Sequence, residues 1–225
     1  MTEINSYKVN DRLFINNLKP SADAKVATTG ATKPTNHIFV VDCSGSMYGD
    51  IPRVREQAKK KLTTSLKDGD TVSLVWFSSR GEYGTVLEGE TVETLKDLQR
   101  VHGVIDKWIK CVGMTGFKEP IELVGEMTKR LATKFPTNVS ALTFMSDGCD
   151  NQWPRQDILT AIEKSSGGLA SATFVEYGYY ADRPLLTQMA EKAGGALVHA
   201  QDFARYEAVV ADVMARRVSG SGKKV

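Results

Sequence analysis

The chain has 225 residues, 41% hydrophobic and 25% charged, with a formal net charge of +2. That size and balance fit one globular domain with enough chain to bury a core. They exclude the strongly basic footprint of a dedicated nucleic-acid binder, and no apolar stretch approaches the ~20 residues that span a bilayer.

In chain order, residues 1–34 are expected as an N-terminal arm that offers an edge strand through "RLFINNLKP". The first residues, "MTEINSYKVNDRLF", carry neither a basic nor an apolar leader region, so a cytoplasmic setting is expected. "HIFVVD" (37–42) is a short, almost continuous apolar run, the mark of a strand covered on both faces. Asp50 is placed to cap a following helix, with Pro52 in its first turn and Ile51, Val54, Ala58, Leu62 and Leu66 at helical spacing. "DGD" (68–70) is a turn, "TVSLVWF" (71–77) a second strand and "TVLEGE" (85–90) a short strand. Helices are predicted over 91–109, with Val92, Leu95, Leu98, Ile105 and Trp108 facing the core, and over 118–134. "VSALTFM" (139–145) is a strand, and Pro154 opens a helix through "PRQDILTAIEKS". "SATFVEY" (171–177), a helix near 183–193, "ALVHA" (196–200) and a helix over 203–217 complete the series. The tail, 219–225, reads as a linker expected to be mobile. Alternating strands and helices imply right-handed crossovers and a doubly wound, mostly parallel α/β sheet, with helices on both faces. Ligands of such sheets bind outside the carboxyl ends of the strands.

Chemistry gathers at three of those ends. In "VDCSGSMYGD", Asp42, Ser44 and Ser46 follow the first strand at alternate positions. A carboxylate and two hydroxyls are hard oxygen donors, suited to Mg²⁺, Mn²⁺ or Ca²⁺ rather than zinc. Alone, the stretch fits a turn and helix cap equally well. "KCVGMTGFKEP" puts Thr115 in a glycine-flanked loop, and "TFMSDGCDN" puts Asp147 just past another strand.

Together these residues resemble a von Willebrand factor type A domain over roughly 35–218. They match its metal-ion-dependent adhesion site (MIDAS): Asp-x-Ser-x-Ser, a Thr in a Gly-rich loop, and an Asp in a Ser-Asp-Gly turn. The resemblance implies a Rossmann-like fold with one short antiparallel edge strand, for which 85–90 is the candidate. It implies Mg²⁺ contacted by Ser44, Ser46 and Thr115, with Asp42 and Asp147 acting often through water. It also implies an open coordination position filled by a partner's Glu or Asp. Intracellular relatives serve larger assemblies, some containing AAA+ ATPases. A shift of the last helix, here 203–217, accompanies binding in some relatives.

On the rim, Tyr48, Phe117, Trp153 and Arg155 are candidate partner contacts, since aromatics and Arg anchor interfaces; Arg80 and Tyr83 are weaker ones. Phe117 and Trp153 can equally serve to cover helix starts. An enzyme is disfavoured. A haloacid-dehalogenase-like phosphotransferase needs a second Asp where Ser44 stands, "CSGSM" is no G-x-S-x-G elbow, and no G-x-G-x-x-G follows the first strand. Of His37, His102 and His199, only His199 stands near a strand's carboxyl end. The three cysteines, Cys43, Cys111 and Cys149, form no disulfide framework and flank the metal-loop residues. Asn138-Val139-Ser140 is read as a chance glycosylation sequon. The expected function is non-catalytic capture of an acidic protein partner by an adaptor, with no nucleic acid and no membrane involved. A metal-dependent phosphohydrolase-like enzyme and an extracellular adhesion module are the alternatives.

Overall fold

The computed structural model describes residues 4–10, 13–18, 33–178 and 181–201. The chain divides into a larger unit, Lys33–Glu207, and a smaller one containing the first two strands. In the smaller unit β1 (Ile4–Asn10) and β2 (Leu13–Leu18) pair antiparallel in a two-stranded sheet of their own. Residues 13–18 therefore form half of a hairpin and not the edge strand expected of them. The expected helix 203–217 and the tail 219–225 lie outside the described residues.

The larger unit is built on β3 (Thr35–Asp42), α1 (Ile51–Ser65), β4 (Thr71–Phe77), β5 (Tyr83–Thr91), α2 (Leu95–Trp108), α3 (Lys118–Lys134), β6 (Val139–Ser146), α4 (Arg155–Ser165), β7 (Leu169–Glu176), α5 (Arg183–Lys192) and β8 (Ala196–His199). Its sheet has six strands in the order β5-β4-β3-β6-β7-β8. Only β5 runs antiparallel, against β4, and two register shifts mark that pairing. It is the antiparallel edge strand expected near 85–90, but at nine residues it is longer than expected. From β3 the chain crosses to β4 on one side and later to β6 on the other. The loops that leave β3 and β6 thus part at the carboxyl end, where open α/β sheets form their ligand crevice.

Strand alternation divides the core. Ile38 and Val40 face one layer, with Phe77, Phe144 and Phe174, under α3, α4 and α5. Phe39 and Val41 face the other, with Leu74, Val54, Ala58 and Leu62, under α1 and α2. This period of two, with both faces covered, explains why β3 reads as an unbroken apolar run. In α2 the buried stripe is Val101 and Ile105, continued by Ile109 just past the helix. Leu95 and Trp108, expected inward, are 71% and 47% exposed. Trp108 lies one residue, about 100°, from the inner position at 109. A capping box between Thr94 and Asp97 starts this helix at Leu95, four residues after the expected point. Among the described residues no helix is long and apolar enough to cross a membrane.

Candidate metal centre

Asp42 ends β3 and is fully buried. One carboxylate oxygen accepts the Ser44 backbone N–H at 2.8 Å, and the other accepts the Ser146 hydroxyl at 2.5 Å. Ser146 also accepts the Gly148 N–H at 2.8 Å, which ties the turn after β6 to Asp42. Beyond β3 the chain enters a 3₁₀ turn (Gly45–Gly49), and the Ser44 and Ser46 hydroxyls lie 3.0 Å apart. The Ser46 hydroxyl bonds Asp147 in turn. Asp42, Ser44, Ser46 and Asp147 therefore form one connected oxygen cluster over the ends of β3 and β6.

Thr115 is buried on the third loop, which is fastened from several directions. Val112 N–H donates to the Cys43 carbonyl at 2.6 Å, and Gly45 N–H donates to the Gly113 carbonyl at 3.0 Å. Gly116 N–H donates to the Ser78 carbonyl and Met114 N–H to the Ser79 hydroxyl. Asn151 N–H donates to the Thr115 carbonyl at 3.1 Å. The flanking glycines serve close packing. Gly113 has φ +69, and a Cβ there would come within 2.5 Å of the Ser79 hydroxyl oxygen.

Residues not singled out in the sequence hold this arrangement. Asp150 accepts Phe117 N–H at 2.6 Å at the start of α3, and also the N–H groups of Gln152 and Trp153. Arg55 on α1 donates twice to the Ile109 carbonyl, at the root of the Thr115 loop. Asp50 occupies the cap position of α1 but makes no side-chain cap bond. Its charge acts on Asp147 instead. A Cβ at Gly178 would lie 3.9 Å from an Asp50 carboxylate oxygen and 3.8 Å from the Asp147 Cβ, so both acids border one turn.

The charges that act on Asp42 and Asp147 from the described residues are those of neighbouring acids. Burial pushes Asp42 up to about 7, and the Asp147 charge adds to this against the hydrogen bonds from Ser146 and Ser44. Burial also raises Asp147, with Asp50 adding to it against the Ser46 hydroxyl. One oxygen of Asp147, Oδ1, is buried with no hydrogen-bond partner. An orphaned carboxylate oxygen costs free energy unless something positive faces it. Among the described residues no three His, Cys, Asp or Glu side chains group to hold a metal. The donors here are hydroxyls and carboxylates, and hard oxygens of that kind fit a divalent cation of the Mg²⁺ type.

The rim differs from expectation. Tyr48 is 81% exposed beside Ser46. Phe117 is wholly buried, packed edge-on to Phe77 and Phe144, so it is a core residue and no partner contact. Trp153 is half-buried, with the Arg80 guanidinium 4.0 Å and the Lys118 ammonium 4.3 Å from its ring centroid. Arg155 is paired with Asp182 at 2.7 Å, and Tyr83 starts the edge strand opposite Phe77. His199 lies on β8, two strands from β6, and its Nδ1 accepts the Gln201 N–H. Burial pushes Cys43 up to about 12 and raises Cys111 and Cys149, with the Asp42 charge adding at all three and the Asp147 charge at Cys111 and Cys149. Thiolate, the oxidisable form, is thereby suppressed at all three. The Asn138 amide donates to Asn36 and to the Gly69 carbonyl and is engaged in packing the opposite end of the sheet.

The sheet order, the single antiparallel edge strand and the placement of helices on both faces define a von Willebrand factor type A-like α/β fold. No protein-family model and no curated protein matches the chain. Solved structures do. A von Willebrand factor type A protein from Catenulispora acidiphila superposes with a TM-score of 0.64 at 20% identity, covering 87% of this chain and 44% of that one. Proximal thread matrix protein 1 from the mussel byssus, with a zinc-occupied MIDAS motif, gives 0.62 at 16% identity over 81% of this chain and 48% of that one. Manganese-loaded TRAP protein from Plasmodium vivax gives 0.57 at 13% identity over 77% and 72%. The chain thus spans less than half the length of the first two. At these identities the likeness establishes the fold; the chemistry rests on the residues themselves.

Proposed function

We propose that this domain is a metal-dependent protein-binding module that captures an acidic side chain of a partner. The observation that carries the reading is the buried, unpartnered Oδ1 of Asp147, set beside the buried carboxylate of Asp42. Ser44, Ser46 and Thr115 would hold the ion, completing a MIDAS, while Asp42 and Asp147 supply the negative charge around it. Mg²⁺ is the proposed ion, with Mn²⁺ or Ca²⁺ as substitutes; zinc and manganese occupy the two neighbours described above. When bound, such an ion offers a Lewis-acidic position to a carboxylate. The protein's part is to fix the hydroxyls, through the Ser44–Ser46 contact and the staples on the Thr115 loop. No histidine stands over the cluster, and the proposed role is non-catalytic.

The proposed setting is an adaptor within an intracellular assembly, one with an AAA+ ATPase among the candidates. The byssal matrix protein among the neighbours favours a second reading, an extracellular adhesive module. Cell fractionation separates the two. The binding mode itself is tested by affinity capture from lysate with Mg²⁺, with EDTA, and with Thr115→Ala. Losing one direct ligand should weaken capture on the order of tenfold or more, as loss of outer-shell partners alone does, and EDTA should have the same effect. Capture that survives both treatments would place the partner on another surface.

A further inference from the structure

Six large hydrophobic side chains stand exposed among the described residues: Tyr48, Tyr83, Leu95, Trp108, Val112 and Met114. Three of them belong to the two loops that carry the candidate ligands. Tyr48 is 81% exposed on the turn after Ser46; Val112 and Met114 are 51% and 50% exposed on the loop before Thr115. These loops are bonded to each other, Val112 N–H to the Cys43 carbonyl and Gly45 N–H to the Gly113 carbonyl. The Met114 sulfur accepts the Gln152 side-chain amide, which holds this residue at the surface. Charged groups stand near the turn after β6. A Cβ at Gly148, in the turn after β6, would lie 3.1 Å from the Asp182 backbone nitrogen, and Asp182 is ion-paired with Arg155. The two ligand loops thus expose apolar side chains beside the cluster, while the Glu82 carboxylate and the Ser78 and Ser79 hydroxyls back Gly113 between two of them. Apolar groups gathered around a polar centre are the composition of a binding surface.

We infer that the partner presents its acidic residue next to a bulky apolar side chain, which lies on Tyr48, Val112 and Met114. The inference rests on the metal-dependent reading above and commits to a protein segment in which Asp or Glu adjoins a residue such as Leu. A bound divalent cation would take the carboxylate, and the exposed Tyr48, Val112 and Met114 would take the apolar neighbour.

Blocked tetrapeptides test this: Gly-Glu-Leu-Gly and Gly-Leu-Glu-Gly against Gly-Gly-Glu-Gly, titrated into the Mg²⁺-loaded protein and followed by NMR shifts. One leucine peptide should bind about tenfold tighter, the value of partly burying a leucine side chain. The combined variant Tyr48→Ser, Val112→Ser, Met114→Ser should erase that advantage. It should keep the wild-type rise in melting temperature with Mg²⁺, and Tyr48→Ser alone serves if the combined variant is unstable. Equal, Mg²⁺-dependent binding of all three peptides overturns this inference and leaves the metal reading standing. Binding that ignores EDTA, or no binding at all, overturns both. A Mg²⁺-dependent dimer in sedimentation would assign the fringe to a second copy of this chain and likewise overturn the inference.

Discussion

Replacing Phe117 by alanine should cost about 3–5 kcal/mol of folding stability, the range for a fully buried phenylalanine. The ring is 0% exposed and meets Phe77 and Phe144 edge-to-face, with centroids 5.7 and 5.3 Å away and planes at 85°. Such pairs add to simple burial, and the site has little room to collapse, because Ile121 and Val124 of α3 pack in the same layer. The loss should extend to the metal centre. Phe117 stands two residues after Thr115, and its N–H is the donor that Asp150 accepts. Tyr48→Ala, by contrast, should change stability by no more than about 0.5 kcal/mol, as exposed substitutions do. Urea unfolding of the two variants measures both. A Phe117→Ala protein as stable as wild type, yet deficient in partner capture, would return Phe117 to the rim.

Relative to Asp42→Asn, in which the opposing effects of groups such as His102 are shared, the protein in EDTA should lose stability as pH rises from about 4 to about 7, and saturating Mg²⁺ should reverse that order. Folding lifts Asp42 from the usual 3.8 to about 7, chiefly through burial. Between those values the folded state keeps a proton that the unfolded chain has released. The stabilisation is therefore full below the unfolded pKa and lost as pH climbs through the folded one. Asp147, raised mainly by burial, acts in the same direction. Asp70 does not obscure the slope. Burial pushes it up, but hydrogen bonds from His37, Thr35 and Lys67 bring it below the usual value, so its contribution fades only in stronger acid. A cation that binds only the folded, ionised cluster adds about 2.7 kcal/mol at a hundred times its Kd, and protons compete with it. Melting temperatures across that range, with EDTA and with Mg²⁺, give the comparison. Asp42→Asn should also remove most of the Mg²⁺ response. A wild-type profile without slope relative to that variant, or unmoved by Mg²⁺, would show that the carboxylates are satisfied in some other way.

The sheet was legible because its strands obey simple burial. "TVSLVWF" coincides with β4 over 71–77, and "HIFVVD" differs from β3 only by two residues at its start. Asp42, Ser44, Ser46, Thr115 and Asp147 were visible because each stands at a strand or loop boundary where the pattern changes. Their supports were not. Asp150 follows Asp147 in the same turn and looks like one more loop acid; only the fold shows that it serves α3, 33 residues away in sequence. Arg55 lies in a helix with many cations, and its partner is a backbone carbonyl 54 residues on. Phe117 misled because "TGFKEP" reads as an exposed loop, and nothing local reveals that its ring turns into the layer of Phe77 and Phe144. Leu95 and Trp108 misled because a helix of this length admits two apolar stripes, and only the position of the sheet chooses between them.

The bond from the Ser146 hydroxyl to Asp42 closes across 104 residues of chain. β3 and β6, which carry its two ends, are neighbours in space and distant in sequence. Loop-closure entropy makes such a pairing slow to form. A cation held by both ends would have nothing to grip while the halves are apart, so it would not nucleate folding. It would act on the finished domain and resist its opening. Interactions of that kind, absent from the transition state, lengthen the lifetime of the native state and leave the rate of reaching it nearly unchanged.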